Sequence, residues 1–252
     1  MATAGRPRAI GIVGGGRSGM LAAIHLLRAA RAPLRLVLVE RAGLSAGQAG
    51  VYRGPLVAPL LDSPAIQASG FGADPEHFLR WARRATGSEW AADSYLPQAL
   101  YDAYLRAMLA WARAESAPQV RIRLVHDEAV GLAVGGRGVR VHLRSGESLR
   151  IGAVVLAIGH LETTHPLLRD LMARGLVRLR GLDLDVHADG ALVNCDGVPS
   201  SRLFCLGLPC THREVLSTPA LRTQVERLAS RLLDTVDATQ VPPPPYTPIT
   251  RS

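Results

Sequence analysis

A glycine-rich turn between an apolar run and a helical pattern constrains this chain more than any other feature. The apolar run 9–13 leads into Gly14-Gly15-Gly16-Arg17-Ser18-Gly19, a G-x-G-x-x-G pattern. In such a turn the first glycine permits the tight reversal, the second lets a phosphate approach the backbone, and the third lets the helix pack closely on the sheet. The helix start adds free N–H groups and a positive dipole end. The pattern predicts a βαβ unit that binds the pyrophosphate of a dinucleotide.

The residues after the turn support this interpretation. A helical pattern over 17–31 is followed by the apolar run Leu34–Val39, which ends in Glu40. The spacing places the carboxylate of Glu40 where it would accept the ribose hydroxyls of an adenosine. The alternative is a glycine-rich turn in an ordinary βαβ unit with no nucleotide.

Composition limits the remaining classes of function. The 252 residues, 48% of them hydrophobic, fit one large domain with a full core. All 29 basic residues are arginines, giving a net charge of +8, but they are scattered and aromatic residues are only 4%. We therefore expect no nucleic-acid partner. Three cysteines without a C-x-x-C pair and without a signal sequence predict a cytoplasmic protein. The absence of an 18-residue apolar run predicts no membrane association.

Periodicity and turn residues predict an α/β fold. We expect a Rossmann-like parallel sheet with helices, a β-hairpin or meander crossover, and a small helical cap over 60–115. Asp74 as N-cap and Pro75 as first helical residue open one helix of the cap. A single domain over 8–235 and a proline-rich, disordered tail over 236–252 are predicted. The other predicted elements are a helix from Pro97, strands at 120–125, 139–143, 149–151, 153–158, 191–194 and 202–206, and helices at 166–175 and 219–233.

Several later segments resemble, in order, the motifs of one flavoprotein family. They are Gly50-Val51-Tyr52, Leu60-Leu61-Asp62-Ser63-Pro64-Ala65, residues 69–81 (SGFGADPEHFLRW), residues 96–105 (LPQALYDAYL) and Ala220-Leu221-Arg222-x-Gln224. They resemble the bacterial FAD/NAD(P)-binding proteins of the two-dinucleotide-binding-domain superfamily, distant relatives of flavin monooxygenases. The resemblance covers residues 8–235 and implies FAD as the cofactor.

The chain also departs from that family pattern. Two arginines of the family are Gln98 and Ala99 here, a glycine is Asp102, and an asparagine is Asp62. Family members continue after the strand at 153–158 into a second nucleotide-binding domain. This chain reaches its last strand soon after Gly159, and residues 100–252 hold no second G-x-G-x-x-G. We therefore expect a shortened member that lacks the NAD(P)-binding domain.

The motifs and the resemblance together name candidate site residues. The cofactor-binding candidates are Gly14, Gly15, Gly16, Arg17, Ser18, Gly19, Glu40, Arg41, Val130, Ala157, Gly159, Gly207 and Pro219. The resemblance implies that Pro219 lies in a helix whose N-terminus points at the flavin. Candidate acid, base or anion contacts are His212, His160 and Arg213. Candidate substrate-pocket residues are Tyr52, Asp62, Tyr101, Tyr104 and Cys210. Packing roles are the alternative for the histidines, the tyrosines and the cysteine, and no metal-ligand cluster stands out.

These features predict an FAD-dependent oxidoreductase of the oxidase, dehydrogenase or monooxygenase type. Its substrate would be a small or carrier-bound metabolite, in a biosynthetic pathway. Without a nicotinamide domain it would pass electrons to oxygen or receive them from an external flavin reductase. Two alternatives remain open, a redox-neutral cyclase or isomerase that uses the flavin electrostatically, and a non-catalytic flavin-binding protein. A homo-oligomer is also possible.

Overall fold

The computed structural model describes residues 8–41, 59–136, 138–159, 165–181, 183–207 and 216–238. Five helices lie in these ranges: α1 (Arg17–Ala29), α2 (His77–Thr86), α3 (Gln98–Glu115), α4 (Pro166–Ala173) and α5 (Thr218–Ala238). The strands are β1 (Arg8–Val13), β2 (Leu34–Val39), β3 (Val120–Val125), β4 (Ala129–Gly135), β5 (Gly138–Leu143), β6 (Ser148–Ile151), β7 (Ala153–Leu156), β8 (Leu179–Arg180), β9 (Asp183–Leu184), β10 (Ala191–Val193) and β11 (Pro199–Cys205).

The main sheet has six strands in the order β10-β11-β7-β1-β2-β3. Every pair is parallel except β10 with β11. The central strands are apolar along their length because both of their faces are covered. In β2, for example, only Arg35 is exposed. The predicted Rossmann-like parallel sheet is confirmed.

Two hydrophobic clusters cover the two faces of this sheet. On one face α1 packs between α3 and α5, and the side chains of α2 join the same cluster. On the other face lie the antiparallel meander β4-β5-β6 and helix α4. The predicted meander crossover is therefore present, as a layer of its own.

Helix α2 begins later than the sequence predicts. We expected Asp74 as N-cap and Pro75 as the first helical residue, but the helix starts at His77 with Glu76 at the cap position. The carbonyl of Asp74 instead accepts hydrogen bonds from the His77 N–H and the Ser69 hydroxyl. Its carboxylate binds Arg80. The stronger charge-assisted contact with Arg80 replaces the cap.

The strand order reverses at β1, and this reversal positions the site. From β1 the chain moves to β2 and β3 on one side of the sheet, whereas β7 and β11 lie on the other side. Ligands of open parallel sheets bind in the crevice that such a reversal leaves at the carboxyl ends of the strands. The glycine turn follows β1 directly and therefore lies at this crevice.

Two features are absent from the described residues. No helix among them has the length and apolar character needed to cross a membrane. The same residues form no cluster of three or more histidine, cysteine, aspartate or glutamate side chains that could hold a metal ion.

Candidate functional site

The glycine turn is held between the ends of β2 and β7. The N–H of Gly14 donates to the carbonyl of Val39 at 2.9 Å, and Gly14 has a φ of +104°. The carbonyl of Ala157 lies so close that a Cβ on Gly14 would meet its oxygen at 2.3 Å. These contacts require glycine at position 14. They also bring Ala157, a predicted cofactor residue, against the turn.

The remaining glycines of the turn differ in the space around them. A Cβ on Gly19 would lie 1.9 Å from the carbonyl oxygen of Gly14, and one on Gly15 would lie 2.9 Å from the side chain of Glu40. A Cβ on Gly16 would meet nothing within 4 Å. Gly19 thus serves the close approach of α1 to the turn, while Gly16 faces open space. The glycine turn and the start of α1 together form a cofactor cradle. This cradle fits a pyrophosphate, which needs the space at Gly16 to reach the N–H groups of α1.

The first turn of α1 suits an anion. Gly16 is its N-cap residue, with extended backbone and no side-chain cap, and no acidic residue stands in the first turn. The N–H groups of Arg17 and Ser18 precede Met20, whose N–H is the first to bond back to Gly16. Unpaired N–H groups at a helix start attract phosphate oxygens. The predicted residues Arg17 and Ser18 are therefore placed to act through their backbone.

Glu40 lies directly after β2 and contacts the turn. One oxygen of its carboxylate accepts a hydrogen bond from the Gly15 N–H. Beside it opens a cavity of about 270 Å³ that also includes the predicted residue Arg41. The cavity is lined by Val13, Gly14, Val39, Glu40, Arg41, Asp127, Glu128, Ala129, Ile158 and His165. The carboxyl ends of β1 and β2 and the start of β4 thus converge on one space next to the glycine turn.

Three ionisable residues of the lining were not predicted from the sequence. Asp127 and Glu128 lie between β3 and β4, and His165 precedes α4. The buried Nδ1 atom of His165 has no hydrogen-bond partner among the described residues. A buried unpaired nitrogen costs free energy unless a ligand or water satisfies it. In the sequence, His165 is only a histidine before a helix-opening proline. It could not be recognised as a site residue because only the fold brings it close to Glu40.

Carboxyl groups line this cavity beside an arginine. The Arg144 guanidinium, which bonds to Glu128 at 2.7 Å, lowers the pKa of that carboxyl. A hydrogen bond from the Ser145 side chain lowers the pKa of Asp127. With Glu40, three carboxyl groups therefore line one cavity, and Arg41 lies in the same lining. Carboxylates accept hydrogen bonds from hydroxyl groups, so the cavity suits the ribose of an adenosine.

The side chain of Arg17 is bound by two of the residues that depart from the family pattern. Its Nε donates to Asp102 at 2.9 Å, and its Nη2 donates to Gln98 at 2.7 Å. Gln98 also donates from its side-chain amide to the carbonyl of Leu60. Residues 98 and 102 lie one turn apart on α3, so one face of that helix holds the guanidinium. The residues that differ from the family pattern, Gln98 and Asp102, therefore connect α1, α3 and residue 60 through hydrogen bonds.

Helix α5 begins at the same edge of the sheet. Oδ1 of Asp62 accepts hydrogen bonds from the N–H and the hydroxyl of Thr218, both at 3.2 Å. Pro219 follows in the first turn of the helix. Gly207, after β11, has a φ of +90°, and its N–H lies 3.4 Å from the side-chain oxygen of Gln224. Asp62 thus lies at the start of α5 beside Pro219, and Gly207 lies against the second turn of the same helix.

The other predicted residues are placed as follows. Val130 is the second residue of β4, beside the lining residue Ala129, and Gly159 follows β7 with a φ of +76°. Tyr101 and Tyr104 are at most 1% exposed in the core, and burial raises the pKa of both phenols. Neither tyrosine lines the cavity, and a role for them in a substrate pocket stays a prediction. The candidates outside the described residues are Tyr52, His160, Cys210, His212 and Arg213.

Solved structures of other proteins share the fold described above. Two solved structures that resemble the chain are a thioredoxin reductase from Gloeobacter violaceus and an oxidoreductase from Agrobacterium tumefaciens. The first has 10% identity and a TM-score of 0.51, over 95% of this chain and 98% of the other. The second has 12% identity and a TM-score of 0.52, over 92% and 99%. At these identities the likeness shows the fold alone.

A third solved structure of the same fold is the Diels-Alderase PyrE3 of the pyrroindomycin biosynthetic pathway. It has 16% identity and a TM-score of 0.51, over 94% of this chain and 67% of that one. Among curated proteins, none matches the sequence. A family model described as FAD-NAD(P)-binding matches residues 11–161, which include the glycine turn, Glu40 and β7. The chain therefore belongs to the FAD-NAD(P)-binding family, and this membership supports FAD as its cofactor.

Proposed function

We propose that the chain is an FAD-dependent oxidoreductase that takes its electrons from a substrate or an external reductant. The observation that carries this proposal is the connection between β7 and β11, residues 157–198. Its described part holds only α4 and the short strands β8, β9 and β10. A parallel βαβ unit needs about 30 residues and a glycine turn to bind a second dinucleotide. The described residues of this connection contain no such unit.

The cradle residues give FAD an extended binding position along the sheet edge. The N–H groups at the start of α1 would bind the pyrophosphate, and Gly16 leaves space for it. Glu40 and the neighbouring carboxyl groups would accept the ribose hydroxyls, with His165 as a further contact. When bound, FAD would supply the two-electron redox chemistry. The protein supplies position and exclusion of water.

The substrate side of the proposal rests on sequence predictions. His160, His212 and Arg213 remain the candidates for moving a proton or binding an anionic substrate. The substrate would be a small or carrier-bound metabolite, and a homo-oligomer remains possible. Among the described residues, the predicted pocket residue Asp62 contacts Thr218 at the start of α5. Its carboxylate would meet a substrate or cofactor group there as an acceptor.

The decisive experiment measures the cofactor and its reduction together. The purified protein should carry FAD, with flavin absorbance bands and about one FAD per chain. Under anaerobic conditions a matching substrate, or a flavin reductase supplied with NADH, should bleach these bands. NADPH or NADH alone should not bleach them at a useful rate. Rapid bleaching by a nicotinamide alone would contradict the proposed external source of electrons.

The same experiment separates the alternatives. A colourless protein that takes up no added FAD would overturn the assignment of the cofactor. Turnover of a substrate while the flavin stays oxidised, in the presence and absence of oxygen, would favour a redox-neutral reaction instead. One protein with this fold is the Diels-Alderase PyrE3. The test is therefore run on product formation as well as on absorbance.

A further inference from the structure

A second cavity lies between α2 and α3. It has a volume of about 350 Å³ and is lined by His77, Arg80, Trp81, Arg84, Met108 and Trp111. The four residues of α2 fall at positions i, i+3, i+4 and i+7, which form one helix face. Arg28, near the end of α1, lies beside the cavity, with its guanidinium carbon 5.1 Å from the centroid of the Trp111 ring. Arg28 is eleven residues after Arg17, about 16 Å along α1 from the glycine turn.

The polar groups that line this cavity are donors. Arg84 has no carboxylate partner among the described residues, whereas Arg80 is bound by Asp74 and lies 3.7 Å from Glu76. Arg28 is also without a carboxylate in the described structure, and it stacks on Phe71 and Trp111 instead. A guanidinium has no acceptor atom. Arg28 and Arg84 are thus two cations that remain available to an anion.

His77 is a further polar group of the cavity. Oη of Tyr104 lies 2.9 Å from His77 Nδ1 and accepts a hydrogen bond from the Gly70 N–H. Burial raises the pKa of the Tyr104 phenol and lowers the pKa of His77. The Nε2 atom of His77 has no partner among the described residues and remains available to a ligand.

The apolar part of the cavity consists of two indole rings and a methionine. Trp81 and Met108 are partly buried, and the exposed fraction of Trp111 is 43%. Indole faces beside guanidinium groups suit a ring with an attached negative charge. Arginine binds planar carboxylates through two parallel hydrogen bonds. The volume lies within the range of small-ligand sites.

We propose that the cavity between α2 and α3 binds a small aromatic carboxylate. The ring would pack against Trp81 and Trp111, and the carboxylate would bind Arg84, with Arg28 and Nε2 of His77 close by. The site lies at the opposite end of α1 from the cofactor cradle, so its ligand does not take part in the flavin reaction. This proposal does not depend on the proposed redox function.

The test is isothermal titration of the FAD-loaded protein with 2-naphthoate, and with the neutral 2-naphthamide as the matched probe. We expect 2-naphthoate to bind with a Kd below about 1 mM and the amide to bind at least about tenfold more weakly. Arg84→Gln should weaken naphthoate binding about tenfold, as for one lost charge-assisted hydrogen bond. Arg106→Gln, an exposed change on the other face of α3, should leave the affinity unchanged.

Three outcomes would overturn the proposal. One is the absence of any heat of binding when the naphthoate concentration is raised to several times the expected Kd limit of about 1 mM. Another is an equal loss of affinity in Arg84→Gln and Arg106→Gln, which would indicate a general effect of net charge. The third is tighter binding of a decaglutamate peptide that displaces naphthoate, which would indicate a surface for an acidic protein segment. Flavin absorbance should stay unperturbed during the titration, since the two sites are well separated.

Discussion

At the scale of single residues, the glycines of one motif have different physical roles. Gly19 is required by packing, because its position next to the Gly14 carbonyl leaves no room for a Cβ. Gly16 has ordinary backbone geometry and open space around it. The G-x-G-x-x-G pattern predicts both positions but cannot tell which serves the fold and which serves the ligand.

This difference predicts opposite effects for two alanine substitutions. Gly19→Ala should lower the free energy of unfolding by about 2 kcal/mol, or Tm by about 5 °C, because the backbone must shift. Gly16→Ala should leave the Tm of the FAD-free protein nearly unchanged but weaken FAD binding by about tenfold or more, since the Cβ occupies the phosphate space. Thermal unfolding and FAD titration measure the two effects. A large loss of Tm in Gly16→Ala would contradict the assigned roles.

At the scale of elements, the sequence predicts most of this fold because the pattern of apolar residues follows burial. The apolar runs of β1 and β2 and the stripe of α1 are found where the periodicity predicts them. The predicted start of α2 is wrong, because the carboxylate of Asp74 binds Arg80 inside the helix and does not cap the helix N-terminus. His165 and Glu128 could not be predicted as neighbours of Glu40. Their approach depends on the order of strands, which no local pattern records.

The link between Asp62 and α5 gives a prediction about an element. Asp62 accepts the Thr218 N–H from a distant segment, and its charge interacts favourably with the positive end of the helix. Asp62→Ala should lower Tm of the FAD-free protein by about 3 °C, the loss expected for one helix cap of about 1 kcal/mol. Asp62→Asn keeps an acceptor oxygen and should lose less. Asp93→Ala, at an exposed position, is the control and should change Tm little. Equal Tm values for Asp62→Ala and Asp93→Ala would show that this link does not stabilise α5.

At the scale of the whole molecule, the meander layer is attached to the sheet near the cofactor cavity. Glu128 lies between β3 and β4, accepts a hydrogen bond from the Arg144 backbone, and binds the Arg144 side chain. Arg144 belongs to the turn between β5 and β6. One carboxylate thus connects the main sheet, the meander and the cavity wall. Protonation of Glu128 should weaken the bond to the Arg144 side chain, whereas the backbone hydrogen bond between the two residues does not depend on that charge.

The pKa of Glu128 therefore predicts how stability depends on pH. Because the Arg144 hydrogen bond lowers this pKa in the folded state, the carboxylate stabilises the fold above its unfolded pKa, and the contribution is lost as pH falls through the folded value. Glu128→Gln should reduce Tm of the FAD-free protein by about 2 °C at pH 6, since the exposed Arg144 is screened by solvent. The difference in Tm from wild type should shrink toward pH 3.

The control variant Glu147→Gln removes an exposed partner of Arg123 and should have a smaller effect on Tm at pH 6. A difference between Glu128→Gln and wild type that stays constant from pH 6 to pH 3 would show that the charge of Glu128 does not hold the meander to the sheet.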